Sequence, residues 1–506
     1  MSDNLVNGAW VEARGEAWVS RSPADRSDVL GEFTEDLSAV DEAVEGARRA
    51  QPAWEALGVE GRKAHLMAFK RELVARREAI GRTLAREVGK PLWEAMTEAD
   101  ALGSKIDVTF KDSMGYVAGQ LMAGSQRLMD GGWETRALGV CAVPGPFNFP
   151  LHLAHGHITA ALATGNAAIF KPSELAPACA QLYAEAAHAA GLPAGVLSVV
   201  QGGAAAGRRL SEHDVDAVLF TGSVRAGIAI RRANLEKPWK LLALEMGGKN
   251  TSVVFEDAPL ERAAYEIAQA ALLTCGQRCT ATSRVVVARS MMGPLTQKLA
   301  AIWRAVKVGH PLDDSTFMGP LINAAAVERF LAGAQTARAE GLEAVVEGEV
   351  ATVERDGVAL EGYYVRPALW RASHAPTPDD PHGGAELFGP DVVLYEVPDG
   401  DEERAVAYAN ATHFGLAMSV FTRDEARFAR VGRRLQAGVL NFNRSTVGAV
   451  AQMPFGGVKM SGNNRPAALL AVSNCVHPVS TLRSPESLEP KDVMARFPVG
   501  SLFTEG

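Results

Sequence analysis

Along the first hundred residues, apolar positions return every three to four residues. Val40, Ala43, Val44, Ala47 and Ala50 make one such stripe behind a start signal at Ser38 and Asp41, which predicts an amphipathic helix. A second stripe, Leu66, Phe69, Leu73, Ile80 and Leu84, predicts a helix that stops near Gly89 and Pro91. A third begins there and runs through Trp93 and Met96 towards Phe110. A short β-like entry precedes the first helix.

The rhythm then changes. Continuous apolar, β-rich runs occupy 140–143, 167–170, 196–200, 217–220, 241–244 and 252–255, and helical patterns at 177–190 and 224–235 lie between them. Strand and helix alternating at such spacing predict parallel βαβ units, because parallel neighbours need a long crossover. The second half repeats the alternation. Helical 260–273 leads to strand 284–288, helical 295–306 ends at Gly309-His310-Pro311, and 392–397, 417–421 and 439–442 read as further strands. Two αβ domains are the simplest partition. The polar, Gly-rich stretch 117–135 reads as an excursion from the body, and the tail after Ser484 as loosely attached. No internal repeat or low-complexity tract interrupts the pattern.

Composition narrows the function classes. The chain has 506 residues, 47% hydrophobic and 22% charged, which fits two to four folded units rather than a disordered chain. Lys plus Arg number 51 against 59 Asp plus Glu, a net charge of −8. That balance argues against nucleic acid or an anionic membrane as partner and leaves small molecules and other protein chains. Five scattered cysteines make no disulfide framework, no secretory leader is visible in residues 1–10, and the most apolar long run, 151–170, is interrupted by His152, His155 and His157. The expectation is a soluble, reduced, cytoplasmic protein.

Ligand groups in parallel sheets gather at the carboxyl ends of the strands. Four successive strand ends carry polar or charged groups beside Gly or Pro: 144–150, with Asn148; 171–174, with Lys171, Ser173 and Glu174; 221–227, with Thr221, Gly222, Ser223 and Gly227; and 245–249, with Glu245 and Gly247. Gly222-Ser223 opening a helix can present backbone N–H groups to a phosphate, although the chain has no G-x-G-x-x-G fingerprint. Lys171 and Glu174 can donate to and accept from ribose hydroxyls, or form an ordinary surface ion pair. Cys279, in a turn between helix and strand, is a candidate nucleophile, while Cys275 reads as core. A metal site is not expected: the three histidines do not share one helical face, and no carboxylate stands at ligand spacing.

Taken together, Phe147-Asn148-Phe149-Pro150, Lys171-Pro172-Ser173-Glu174, Phe220-Thr221-Gly222-Ser223, Glu245-Met246-Gly247-Gly248-Lys249, Gly276-Gln277-Arg278-Cys279, Glu386-Leu387-Phe388-Gly389-Pro390 and Pro454-Phe455-Gly456-Gly457 resemble the motifs of the aldehyde dehydrogenase superfamily, in its order and spacing. The resemblance implies an α/β fold with two Rossmann-like αβα domains and a bridging hairpin used in oligomerisation. An NAD-binding domain would take 1–112 and 136–244, a catalytic domain 245–440, oligomerisation elements 113–135 and 474–484, and a tail 485–506. It implies Cys279 as nucleophile, Asn148 as an oxyanion donor and Glu245 as the base that activates water. Lys171 and Glu174 would contact the adenine ribose, with Ser173 beside them; Thr221, Gly222, Ser223 and Gly227 would form the pyrophosphate turn. Gly247, Glu386 and Phe388 would lie at the nicotinamide ribose. The cofactor implied is NAD, since Glu174 would repel a 2′-phosphate, and the implied assembly is a homodimer or homotetramer.

Gly145 to Pro150, His152-Leu153, Gly156-His157, Gly276 to Thr280 and Ser461 to Pro466 are similar to the subgroup that oxidises N-succinylglutamate 5-semialdehyde in bacterial arginine catabolism. That dianionic substrate calls for cationic contacts, for which Arg278, Arg444 and Arg465 are the candidates. The chain departs from the subgroup at Leu151, Ala154-His155 and Asn443 to Thr446. Other acidic or amino-acid-derived semialdehydes, a CoA-acylating reaction and a non-catalytic structural relative are the alternatives.

Overall fold

The uninterrupted apolar runs become strands of two seven-stranded sheets. The computed structural model describes residues 4–126 and 129–483. The first sheet has the strand order Leu241–Glu245, Ala217–Thr221, Val140–Pro144, Ala167–Lys171, Leu197–Val199, Asn4–Val6, Ala9–Val11. Its first five strands are parallel; the last two are an antiparallel edge. Every residue of Val140–Pro144 and Ala167–Lys171 is buried, as expected where helices cover both faces. Val140, Ala142 and Ile169 face one helical layer and Cys141, Val143 and Phe170 the other, the alternation the pleat imposes. Chain order reverses between Val140–Pro144 and Ala217–Thr221, and such a reversal opens a crevice at the strands' carboxyl ends.

The second sheet runs Glu343–Val346, Ala368–Arg371, Asp391–Val397, Thr282–Ala288, Asn250–Val254, Ala417–Phe421, Val439–Phe442, all parallel except the first. The two sheets are joined at residues 245–250, so that carboxyl ends of the first lead into an amino end of the second. A third sheet of three strands pairs Met129–Ala137 with Gln120–Gln126 on one side and Val476–Arg483 on the other. Among the described residues no helix is long and apolar enough to cross a membrane.

Several boundaries differ from the sequence reading. The first helix is Leu37–Ala56, and its cap is Asp36, which accepts from the N–H groups of Ser38 and Ala39. The second stripe is two helices, Gly58–Ala75 and Arg77–Val88, closed by left-handed Gly89 (φ 82°). The helix expected from 295 begins at Arg289, with Pro294 inside it and Met291 and Met292 already buried. Residues 109–117 are helical turns, so the hairpin starts at Gln120. The expected tail, 485–506, lies outside the described residues.

Candidate active site

Four segments meet between the sheets. Asn148, 4% exposed, follows strand Val140–Pro144 and donates from Nδ2 to the carbonyl of Gln277 at 2.9 Å. The second segment is the turn before Cys279. Helix Leu260–Leu272 ends, and Thr274, Cys275 and Gly276 then take φ of 53°, 53° and 67° in succession. Left-handed backbone costs about 1–2 kcal/mol at each non-glycine position, so the fold must hold this turn. Glu94 does so: Oε2 accepts from Thr274 N at 3.0 Å, and Oε1 accepts from the Thr274 hydroxyl and from Arg278 Nη2 at 2.7 Å. Gly276 is required twice over, because a Cβ there would stand 2.3 Å from the backbone of Gly389.

The third segment, 245–250, closes round the same point. Asn250 donates from Nδ2 to the Cys279 carbonyl at 2.8 Å, and a Cβ on Gly248 would stand 2.4 Å from that carbonyl oxygen. Glu245 is 3% exposed; its carboxyl accepts from Gly457 N–H and leaves Oε2 without a partner. The fourth segment carries Glu386, whose Oε1 accepts from Gly248 N at 2.8 Å, and Phe388, which lies edge-on to Phe147 at 5.9 Å. A Cβ on Gly247 would lie 2.0 Å from Glu386 Oε2. The site thus draws on carboxyl ends in the first sheet but amino ends in the second, since Cys279, Glu386 and Asn250 all precede or open strands.

The electrostatics follow from burial. Cys279 is the one cysteine of the five that retains exposure. Its thiol is pushed up to about 12 by burial and by the carboxylates of Glu386 and Glu245, with Arg278 opposing. Burial raises Glu245 well above the usual carboxylate range, against the Gly457 hydrogen bond. Glu386 rises to about 7 for the same reason, against Gly248 N–H and Lys249. A proton leaving the thiol therefore meets acceptors whose own affinity for it is enhanced.

The remaining sequence candidates fall into distinct settings. Lys171, 7% exposed in its side chain, faces Glu174 at 3.4 Å, and Glu174 is half exposed. Ser173 spends its hydroxyl on Leu175 N. Ser223 caps helix Val224–Ala233 by accepting from Ala226 N at 3.2 Å, beside partly open Thr221 and Gly222. Gly222 and Gly227 also have packing reasons, since a Cβ at either would strike the Phe220 ring or Met246 Sδ at 2.4 Å. Arg278 is brought to the site, but its guanidinium is paired with Glu94 and lies 4.8 Å from the Phe149 ring centroid. Arg444 and Arg465 are exposed and form no ion pair among the described residues. His155 is a core residue between Tyr183 OH and the Leu102 carbonyl. Among the described residues no group of three or more His, Cys, Asp or Glu side chains could hold a metal ion.

Sequence reasoning missed Glu94 and Glu98, one helical turn apart on the buried face of helix Leu92–Val108. Glu98 accepts from the N–H groups of Leu151 and His152 and from Lys90 Nζ at 2.6 Å. One helix therefore fixes the Asn148 segment with one carboxylate and the Cys279 turn with the other. Arg278, Lys90 and the Thr274 contacts more than offset the burial of Glu94, so its carboxyl sits below its ordinary range. Replacing Glu94 with alanine leaves the partly buried Arg278 guanidinium without its carboxylate and the left-handed turn untethered. The expected cost in urea denaturation is about 3–5 kcal/mol, with Glu94→Gln losing less.

Residues 10–478 match the aldehyde dehydrogenase family. The chain is 39% identical over 488 residues to N-succinylglutamate 5-semialdehyde dehydrogenase 1 of Caulobacter vibrioides, covering 95% of this chain and 98% of the relative. It superposes on the betaine aldehyde dehydrogenase of Staphylococcus aureus in complex with NAD+ with a TM-score of 0.89, at 26% identity and covering 97% and 96% of the two chains. An NADP-dependent enzyme of E. coli matches with a TM-score of 0.88 at 28% identity, covering 96% and 98%.

Proposed function

The chain belongs to the aldehyde dehydrogenase family and is an oxidoreductase, and from that premise we propose that it oxidises N-succinylglutamate 5-semialdehyde to the free acid with NAD, through a thioester on Cys279. The observation that carries the reading is the meeting of a partly open thiol, a buried carboxamide and a buried carboxyl with one free oxygen.

Cys279 Sγ bonds to the aldehyde carbon, and its proton passes to one of the two carboxylates that face the thiol, Glu386 or Glu245, and from there to solvent. The Asn148 amide has two N–H donors and gives one to Gln277, which leaves the other for the new oxyanion beside the Cys279 backbone N–H. Each such donor is worth about 3–4 kcal/mol in other acyl-transfer sites. NAD, when bound, accepts the hydride that the adduct gives up. Glu245 then takes a proton from water, the hydroxide attacks the thioester carbon, the C–S bond breaks, and Glu245 returns its proton to the leaving sulfur, which regenerates the thiol and frees an acid that ionises in solvent. A base placed to activate water favours acid release over transfer to CoA.

The chain's residues suit a dinucleotide. Lys171 and half-exposed Glu174 offer one donor and one acceptor at the carboxyl end of a central strand of the first sheet. The helix opening at Ser223 offers N–H groups for the pyrophosphate, and Glu386 closes over Gly247 while Phe388 packs on Phe147. Glu174 supports NAD over NADP because it would repel a 2′-phosphate. In the same reading 1–112 and 136–244 hold the cofactor and 245–440 carry the nucleophile. Residues 113–135 and 474–484 reach a second copy, consistent with the exposed side chains of edge strand Val476–Arg483. Five unpaired cysteines suit a reducing cytoplasm.

An absorbance screen of succinylglutamate, succinate and glutamate semialdehydes, with either dinucleotide and without CoA, tests this. The expected result is the highest kcat/KM for the first aldehyde with NAD. A strict need for CoA, or a preference for uncharged aldehydes, overturns it.

A further inference from the structure

Lys105 is 5% exposed yet its ammonium makes no hydrogen bond and no ion pair among the described residues. It lies on helix Leu92–Val108, seven residues beyond Glu98 and on the same face. Its Cε and Nζ stand 3.3 and 3.7 Å from where a Cβ of Gly156 would be, so the bare glycine makes room for the lysine stem. Gly156 lies on helix His152–Ala163, which starts four residues after Asn148. Two imidazoles on that helix, His152 and His157, each have a buried Nδ1 without a partner. Burial alone draws Lys105 down to about 8. Burial holds both histidines near 4, with Lys105 pushing them further down and Glu98 opposing at His152.

Three buried nitrogen groups without a partner, on two packed helices and close enough for Lys105 to act on both histidines, are expensive in a folded chain. Among the described residues no carboxylate answers Lys105: Glu94 and Glu98, on its own helix face, are committed to Arg278, Thr274, Lys90 and two backbone N–H groups. The three arginines are less suited, because Arg278 is already paired and Arg444 and Arg465 are exposed. We propose that Lys105, flanked by His152 and His157, binds a carboxylate of the substrate and so sets the enzyme's preference for anionic semialdehydes. The proposal rests on the aldehyde dehydrogenase reading above and names the residue behind its substrate class. A carboxylate seated there is joined by the substrate's own chain to an aldehyde at Asn148 and Cys279. The ligand brings the charge that the fold withholds.

The test compares Lys105→Met and Lys105→Arg with the unaltered enzyme, on N-succinylglutamate 5-semialdehyde and on hexanal. Methionine matches the stem's volume, so folding is preserved, and thermal unfolding checks this. A charge-assisted contact of this kind is worth about 10- to 100-fold in affinity. The expected result is a loss of that size in kcat/KM for the anionic aldehyde, carried by KM, with hexanal changed less than about twofold and partial recovery in the arginine variant. If the unaltered enzyme prefers the anionic aldehyde and Lys105→Met keeps that preference, Lys105 is not the reader and the substrate reading stands. If the unaltered enzyme shows no such preference, the substrate reading falls and this inference falls with it.

Discussion

Replacing Cys279 with alanine is expected to lower turnover by at least about 10⁴-fold, the scale on which covalent catalysts lose rate when the nucleophile goes, while NAD binding and the fold survive. No other thiol can substitute. Cys141, Cys179, Cys275 and Cys475 are buried, and burial raises the thiols of Cys179 and Cys275 while a hydrogen bond with Cys475 and burial raise that of Cys141. The fold survives because the anchors of this residue are main-chain: its carbonyl is held by Asn250, and the turn before it by Glu94. Alanine keeps both. The proposed dinucleotide contacts at Lys171, Glu174 and Ser223 belong to the first sheet, away from the thiol in sequence and in strand. Titration of NAD by quenching of tryptophan fluorescence, beside steady-state rates, separates the two effects. Turnover within tenfold of the unaltered enzyme sinks the nucleophile assignment.

The central strands were legible because a strand buried on both faces must be apolar throughout, and little else in a chain reads as four or five such residues bounded by Gly and Pro. Ala417–Phe421, buried throughout, falls where its apolar run puts it, and so does the half-buried edge strand Val439–Phe442. Helix Leu92–Val108 shows where that logic stops. Trp93 and Met96 mark its apolar stripe by sequence, yet Trp93 is 44% exposed, and the buried face is Glu94, Ala95, Glu98, Ala99, Leu102 and Lys105. Periodicity assigns charges to the outside. It fails where carboxylates are buried to fix loops from elsewhere in the chain, and Thr274 lies 180 residues from Glu94. The candidate site divides in the same way. Cys279, Glu245 and Asn148 stand in short runs of Gly and Pro that mark them, whereas Glu94, Glu98, Lys105 and Asn250 carry no local mark and become visible only through their partners.

Those partners also explain how two sheets share one site. The carboxyl ends of the first sheet supply Asn148 and Glu245, and the segments entering the second supply Cys279 and Glu386. Relative placement then depends on contacts that cross between them: Asn148 to Gln277, Gly248 to Glu386, and Glu94 to the Cys279 turn. Each ends on a backbone atom, so a rigid peptide frame, rather than a chain of mobile side chains, sets the distances that the chemistry needs.

Replacing Glu245 with glutamine is expected to leave the first half of the reaction, where Glu386 still faces the thiol as a proton acceptor, and to stop the second. Rapid mixing with NAD and aldehyde should give a burst of about one NADH per active site and then a stall, the signature of an acyl-enzyme that accumulates. Glutamine has nearly the volume of glutamate and keeps an oxygen to accept from Gly457 N–H, so the pocket is preserved, but an amide cannot take a proton from water. The pH dependence has a definite sign. Burial raises the carboxyl of Glu245 well above its ordinary 4.5, and only its ionised form is a base, so the steady-state rate of the unaltered enzyme should climb as pH rises through that elevated value. The glutamine variant should lose this limb. Stability runs the opposite way: the folded chain keeps a proton on Glu245 that the unfolded chain has released, so folding is weakened as pH rises from about 4.5 to the elevated value. Glu245→Gln should therefore be at least as stable as the parent at pH 8 in thermal unfolding, a stabilised protein with a blocked site. Steady turnover without a burst, or a variant that is less stable than the parent and unchanged in its pH profile, removes Glu245 from the role of water-activating base.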